Sequence, residues 1–355
     1  MPKALRDGFS SLGLNWGLVL VVLATNLTLA LVVAAPLAIQ LERNLAHTGA
    51  SGSMMYGFDY EWWEPWSEKQ EGPSRNLGPD LLGPGFAFKS LDALVRGRLP
   101  AGLFPDASET RRGDVDVWSK KSADVDPTIL GVAVVYLVAQ VFLVGGLLGV
   151  FRSPRGGWTV RGLAHGSGFY FGRMFRVSLL ALAGAGGVFA LNLPFARWVD
   201  DLAREAVSER TALALLLGRH AVLLGALLLV HMVASYARVI LVVEDRQSAL
   251  LASLSSVGFC LRHFFAAAAQ YVVVIAAGLA LLGLWTLFDV RFVVTGWKTQ
   301  LFALAGFEAL VATRIALRLG LLASQVELYR VRSRRPPEET AAALPDEGAP
   351  AAEAA

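Results

Sequence analysis

Four charged side chains fall inside long apolar stretches of this 355-residue chain: Arg219, Glu308, Arg314 and Arg318. A charge in hydrocarbon is expensive, so each must face a partner or a wet cavity. Arg219 and Glu308 lie about six and seven residues inside their stretches, roughly 9–11 Å deep at 1.5 Å per residue. Both enter from the same side, so they are expected to pair or to share one polar pocket. Arg314 and Arg318 are four apart and share a helix face, which Gln325 continues and from which Glu308 points well away. Arg318 comes near the opposite surface and is expected to meet Glu244 or Asp245. Asn26 and Gln140 fall near the middle of two further stretches. Two chemistries suit such a set: an interhelix network of ion pairs and hydrogen bonds, or a path for a proton or solute. Glu308 is its only acid, whereas proton coupling calls for a chain of titratable groups, so the network reading comes first.

Other chemistry has little footing. His47, His165, His220, His231 and His263 form no i, i+4 pair of the kind a zinc helix presents, and Cys260 alone builds neither a thiolate site nor an intrachain disulfide. There is no G-x-x-x-x-G-K-[ST] phosphate loop, no H-E-x-x-H and no G-x-S-x-G nucleophile elbow. No cofactor, metal or catalytic residue is expected, and the chain does not read as an enzyme. A net charge of +3 is too mild to suggest a nucleic-acid partner.

Composition sets the frame that positions these residues. Apolar residues make up 55% and charged residues 17%, against about 25% charge in a soluble domain, and mean hydropathy is +0.51. A bilayer core of about 30 Å needs about 20 apolar residues per helix. Six stretches qualify, at 14–39, 129–151, 175–193, 213–235, 264–288 and 301–323, with helix continuing to 243 after the fourth and to 331 after the sixth. The expected fold is all-α: a six-transmembrane-helix bundle over 1–335, with short interfacial helices and one long extracytoplasmic loop at 41–127. At about 26 residues the first stretch is long for the apolar region of a signal peptide, so it reads as a retained span. Basic residues gather at the amino end (Lys3, Arg6), after the second span (Arg152 to Arg176), after the fourth (Arg238, Arg246, Arg262) and beyond the sixth (Arg330 to Arg335). These segments belong on the cytoplasmic side, which puts both termini inside. Small residues spaced by four at Gly145/Gly149, Ala183/Gly187 and Ala276/Ala280 are candidate helix contacts.

Outside the spans, the long loop holds fourteen acids against ten basic residues. Its Trp62, Trp63 and Trp66 suit anchoring or packing at the membrane edge, or stacking on a sugar or lipid. Residues 86–95 pattern as a short amphipathic helix. The two basic connections look alike, each ending in an Arg-x-Phe entry to the next span, at Arg173 and Arg262. In the second, Leu250, Leu254 and Val257 form an apolar side, while Glu244, Asp245 and Arg246 are expected to face water. Beyond Arg335 come five acids and no basic residue, and 336–355 reads as a disordered cytoplasmic tail.

Three stretches carry a resemblance: Ser235-Tyr236-Ala237-Arg238, the run Val243-Glu244-Asp245-Arg246-Gln247-Ser248-Ala249-Leu250, and Arg314-Ile315-Ala316-Leu317-Arg318. In these the chain resembles a broad group of uncharacterised bacterial integral membrane proteins. More distantly it is similar to the membrane domain of some glycerophosphodiester phosphodiesterases. The catalytic domain of those enzymes has no counterpart here. The resemblance implies only a bacterial inner-membrane bundle of unknown role; the partners expected of the chain are the lipid bilayer and other membrane subunits. The leading expectation is an accessory or scaffold component. The alternative is a small-solute or lipid permease using Arg219, Glu308 and Arg314.

Overall fold

The computed structural model describes residues 2–46, 48–49, 59–69, 127–153, 157–292 and 296–333, and they are helical with no strand among them. The helices are α1 (Pro2–Leu14), α2 (Gly17–Leu45), α3 (Tyr60–Lys69), α4 (Pro127–Arg152), α5 (Val160–Glu205), α6 (Glu209–Val243), α7 (Ala249–Arg262), α8 (Phe264–Arg291) and α9 (Trp297–Ser333). Six of them, α2, α4, α5, α6, α8 and α9, are long and apolar enough to cross a membrane. The expected helix at 86–95, the tail at 336–355 and most of the long loop lie outside the described residues.

The elements depart from expectation where packing extends or breaks a helix. The amino end is a helix of its own. Asn15 ends it by turning its amide back onto the Ser11 carbonyl at 2.9 Å, and α2 then starts at Gly17. The two look-alike connections diverge. Thr159 caps α5 by accepting from Gly162 N at 3.0 Å, and α5 then runs unbroken through Arg173 for 46 residues. Ser248 caps α7 in the same way from Leu251 N at 3.3 Å, but His263 leaves the helical region and separates α7 from α8. The Trp62–Trp66 segment is the helix α3, with stacked rings 5.2 Å apart and Asp59 Oδ1 capping Trp62 N at 3.1 Å.

Close packing gathers at the end of the bundle that carries both described termini. Leu18, Leu148, Phe151, Met174, Val177 and Ile240 are buried there, along with most of α6 from Met232 to Val242. In the most apolar stretches of α6, α8 and α9 only 6% of residues are buried. The far half of these helices is therefore open, to lipid or to clefts between helices. Two glycine crossings fix the packed end. Gly8 of α1 lies so close to α9 that a Cβ would meet Ser324 Cα at 2.5 Å. Gly146 of α4 faces the Leu163 carbonyl and the Ser167 hydroxyl of α5, where any side chain would collide with backbone. Of the expected small-residue contacts, Gly145 does pack on α5, where a Cβ would meet Tyr170 Cβ at 3.0 Å, and the others do not. Gly149 and Gly187 face open space, and Ala183, Ala276 and Ala280 are exposed.

Candidate functional site

Two tiers of ion pairs bracket the bundle. At the far end Arg219 of α6 donates to Asp200 Oδ1 of α5 at 2.5 Å and to His220 Nε2 at 3.1 Å. At the terminus end Arg246 Nε donates to Glu244 at 2.5 Å, and Arg173 of α5 pairs with Asp245 at 2.7 Å. From Arg219 to Glu244 is about 25 residues of helix, or about 38 Å, close to the headgroup-to-headgroup thickness of a bilayer. The expected Arg219–Glu308 pair does not form. Helix α5 continues well past 193, which brings Asp200 across the short α5–α6 turn to Arg219. Glu308 is half-buried on α9 and makes no hydrogen bond or ion pair among the described residues. The Arg219–Asp200 pair is half open to solvent on the acid side, so its coupling should be modest. A double-mutant cycle with Arg219→Leu and Asp200→Asn should give about 1 kcal/mol of coupling. The same cycle with Glu308→Gln should give none.

The turn after α6 ties four other helices to it. Asp245 takes a positive φ of 47°. Arg246 N then reaches the Leu241 carbonyl at 3.0 Å and Asp245 N the Val242 carbonyl at 3.4 Å. This is a Schellman ending with Asp where Gly is usual, since Asp tolerates the left-handed region better than most residues. Its carboxylate is thereby aimed at Arg173. Glu244 was expected to face water. Its side chain is instead 8% exposed, enclosed by Arg246 and by the Tyr329 hydroxyl, which donates to it at 2.5 Å. Arg152 donates to the Val242 carbonyl at 3.2 Å, and Arg330 of α9 donates to the Arg152 carbonyl. On α7 the stripe Leu250, Leu254, Val257 and Leu261 points out of the bundle, while Ala249, Ala252, Ser256 and Cys260 point in. Burial pushes the Cys260 thiol up to about 12. In the folded protein at pH 8 Cys260 should therefore resist maleimide, while a cysteine placed at exposed Leu261 in a Cys260→Ser background reacts. The sign also predicts weaker α7 docking as pH rises from about 9 towards 12, because only the unfolded chain then releases the thiol proton freely.

Above this tier lies a floor of buried polar groups. Ser235 Oγ donates to Gln325 Oε1 at 2.6 Å, and Gln325 Nε2 donates to Tyr271 Oη at 2.9 Å. Tyr236 Oη donates to Gln270 Oε1 at 2.8 Å, and Gln270 Nε2 to the Ser324 carbonyl at 3.0 Å. Tyr236, Gln270, Ser324 and Gln325 are fully buried, so α6, α8 and α9 are stitched together without solvent. Of these residues the sequence marks Gln325, as a continuation of an arginine stripe, and Ser235 and Tyr236, within a stretch that carries the resemblance. The signal that would have found Gln270 and Tyr271 is an uncharged polar pair in an otherwise apolar span.

No known protein family, curated protein or solved structure matches this chain.

Three of the six candidate site residues do meet. Gln140 Nε2 of α4 donates to Asn26 Oδ1 of α2 at 2.9 Å, and Arg318 Nη1 of α9 reaches Gln140 Oε1 at 3.4 Å. Arg318 thus turns to Gln140 rather than to Glu244 or Asp245, both of which already hold arginines. It lies eleven residues before Tyr329, about 17 Å from the Glu244 tier and so near mid-membrane. Arg314 stands one turn further out, exposed, with no hydrogen bond or ion pair among the described residues. Arg238 of α6 donates to Ser178 Oγ at 3.2 Å. His231 packs edge-on against Tyr271 at 5.7 Å and remains accessible.

Proposed function

We propose that this chain is a non-catalytic accessory component of the bacterial cytoplasmic membrane, a six-span scaffold with both ends in the cytoplasm. The observation that carries the reading is the polar floor. Its amides and hydroxyls consume one another across α6, α8 and α9. A conduit needs polar groups free to exchange partners with a passing solute. The orientation rests on Lys3, Arg6, Arg246, Arg262, Arg330 and Arg332, all at the terminus end. The resemblance of residues 243–250 to bacterial membrane proteins points the same way, and that run forms the turn that ties α4, α5, α7 and α9 to α6. The outward apolar stripe of α7 suits the lipid interface. The permease alternative asks Arg219, Glu308 and Arg314 to share one path. Arg219 is held by Asp200, and Glu308 and Arg314 lie about 120° apart around α9 at 100° per residue.

Flux across proteoliposomes tests the proposal. Vesicles holding the purified chain should leak small ions and organic solutes no faster than protein-free vesicles. Saturable uptake of a solute that disappears on Arg314→Gln would replace the scaffold with a permease.

A further inference from the structure

We propose that the space between α6 and α9 is a cationic cleft that binds an oxyanion, a phosphate- or carboxylate-type headgroup, on Arg314 and Arg318 near the middle of the membrane. The site rests on the six-span reading and goes beyond the scaffold role.

The cleft follows from one helix face. At 100° per residue, Gln325 and Tyr329 lie within about 20° of Arg318 around α9. Gln325 is fully buried and Tyr329 is 6% exposed, both turned onto α6 through Ser235 and Glu244. Further along the same face Arg318 and Arg314 are exposed. Helix α9 therefore parts from α6 above the floor, and the arginines face the gap rather than the outside of the bundle. Gln140 and Asn26 close the α4 and α2 side of it through the Arg318 contact. Further out on α9, Phe307 turns edge-on to Trp285 of α8, 5.9 Å away, and so leaves the arginines' side.

The charge is one-sided. Arg238, Arg314 and Arg318 contribute three cations, and none of them pairs with a carboxylate among the described residues. Asp200 is committed to Arg219, and Glu308 points elsewhere on α9. Gln140 takes one of the Arg318 donors with a long bond, so most of that fork is unused. Two guanidinium forks one helical turn apart match the oxygens of a phosphate or carboxylate. An anion supplies the countercharge that this depth requires. A lipid headgroup and a free phosphate present the same oxygens to these forks, and the two sources are separated by the probes below.

Native mass spectrometry of the full chain in neutral detergent reads the binding. The probes are dioleoyl phosphatidylglycerol, dioleoyl phosphatidylcholine and inorganic phosphate. Phosphatidylglycerol should stay bound and phosphatidylcholine should not. The double variant Arg314→Gln/Arg318→Gln should lose at least tenfold in phosphatidylglycerol affinity, and Arg173→Gln, at the terminus-end tier, should lose little. Phosphate binding with the same arginine dependence, and no lipid retention, would assign the site to a soluble anion. Equal phosphatidylglycerol affinity in the double variant and the native chain would overturn the proposal. Should the double variant not fold, a photoactivatable phosphatidylglycerol on the native chain decides. Crosslinks beside Arg314, Arg318 or Gln140 support the site, and crosslinks confined to the outer faces of the helices refute it. Solute flux in the proteoliposome assay with lipid binding intact would remove the scaffold role and keep this site.

Discussion

Gln325→Leu is expected to destabilise the folded chain by about 3 kcal/mol, among the largest effects of any single side-chain truncation in the bundle. Leucine fills the same volume, so the loss is not a cavity. It comes from two hydroxyls stranded in a dry place, Ser235 Oγ at 2.6 Å and Tyr271 Oη at 2.9 Å from the missing amide. Each unsatisfied buried group costs about 1–3 kcal/mol. Interhelix hydrogen bonds within membranes average less, about 0.6 kcal/mol, because lipid-exposed helices find other partners. The floor departs from that average because Gln325 is fully buried, and its loss leaves Ser235 and Tyr271 sharing one contact with each other in place of two amide bonds. Unfolding in mixed micelles checks the size. Adding Ser235→Ala to Gln325→Leu should cost less than the two changes summed, since the second removes a donor that the first has already orphaned. Strict additivity would show that the seam is not a network.

Gly146→Leu should be at least as damaging, by about 3 kcal/mol or by failure to assemble. The side chain would be driven into the Leu163 carbonyl and Ser167 of α5, and backbone cannot rotate away as a side chain can. Helices α4 and α5 must then separate, which also pulls Arg152 from the Val242 carbonyl and loosens the turn after α6. Gly149→Leu, one turn along on a face open to space, is the control and should leave the melting temperature within a few degrees. Matched losses at the two positions would mean that α4 is not seated on α5 through Gly146.

The spans were legible because length and apolar composition alone decide whether a helix crosses hydrocarbon. The partners of the buried charges were not, because they depend on helix ends and on rotation about each axis. Asp200 lies seven residues past the expected end of the third span, in a stretch too polar to be counted as membrane, so Glu308 was left as the only acid in view for Arg219. Arg318 was expected at the terminus-end surface from its place near the end of an apolar run. It sits instead near mid-membrane because α9 continues to Ser333 and its true anchor there is Tyr329 on Glu244. The floor was overlooked for a chemical reason. Charges draw the eye in an apolar span, yet Gln270, Tyr271 and Ser235 hold the helices together without any. The separate helix at Pro2–Leu14 reads as a basic flank in sequence, and only the fit of Gly8 against Ser324 shows what it packs on.

All of this requires that α2, α4, α5, α6, α8 and α9 each cross the membrane once, so that both tips of the chain emerge on the face opposite the α5–α6 turn. Single cysteines at Lys3, Val207 and Arg332, in a Cys260→Ser background, test that with a membrane-impermeant maleimide applied to intact cells. The six crossings predict labelling at position 207 and protection at both 3 and 332 until the membrane is opened. Labelling of either tip from outside, or of 207 only after lysis, would contradict it.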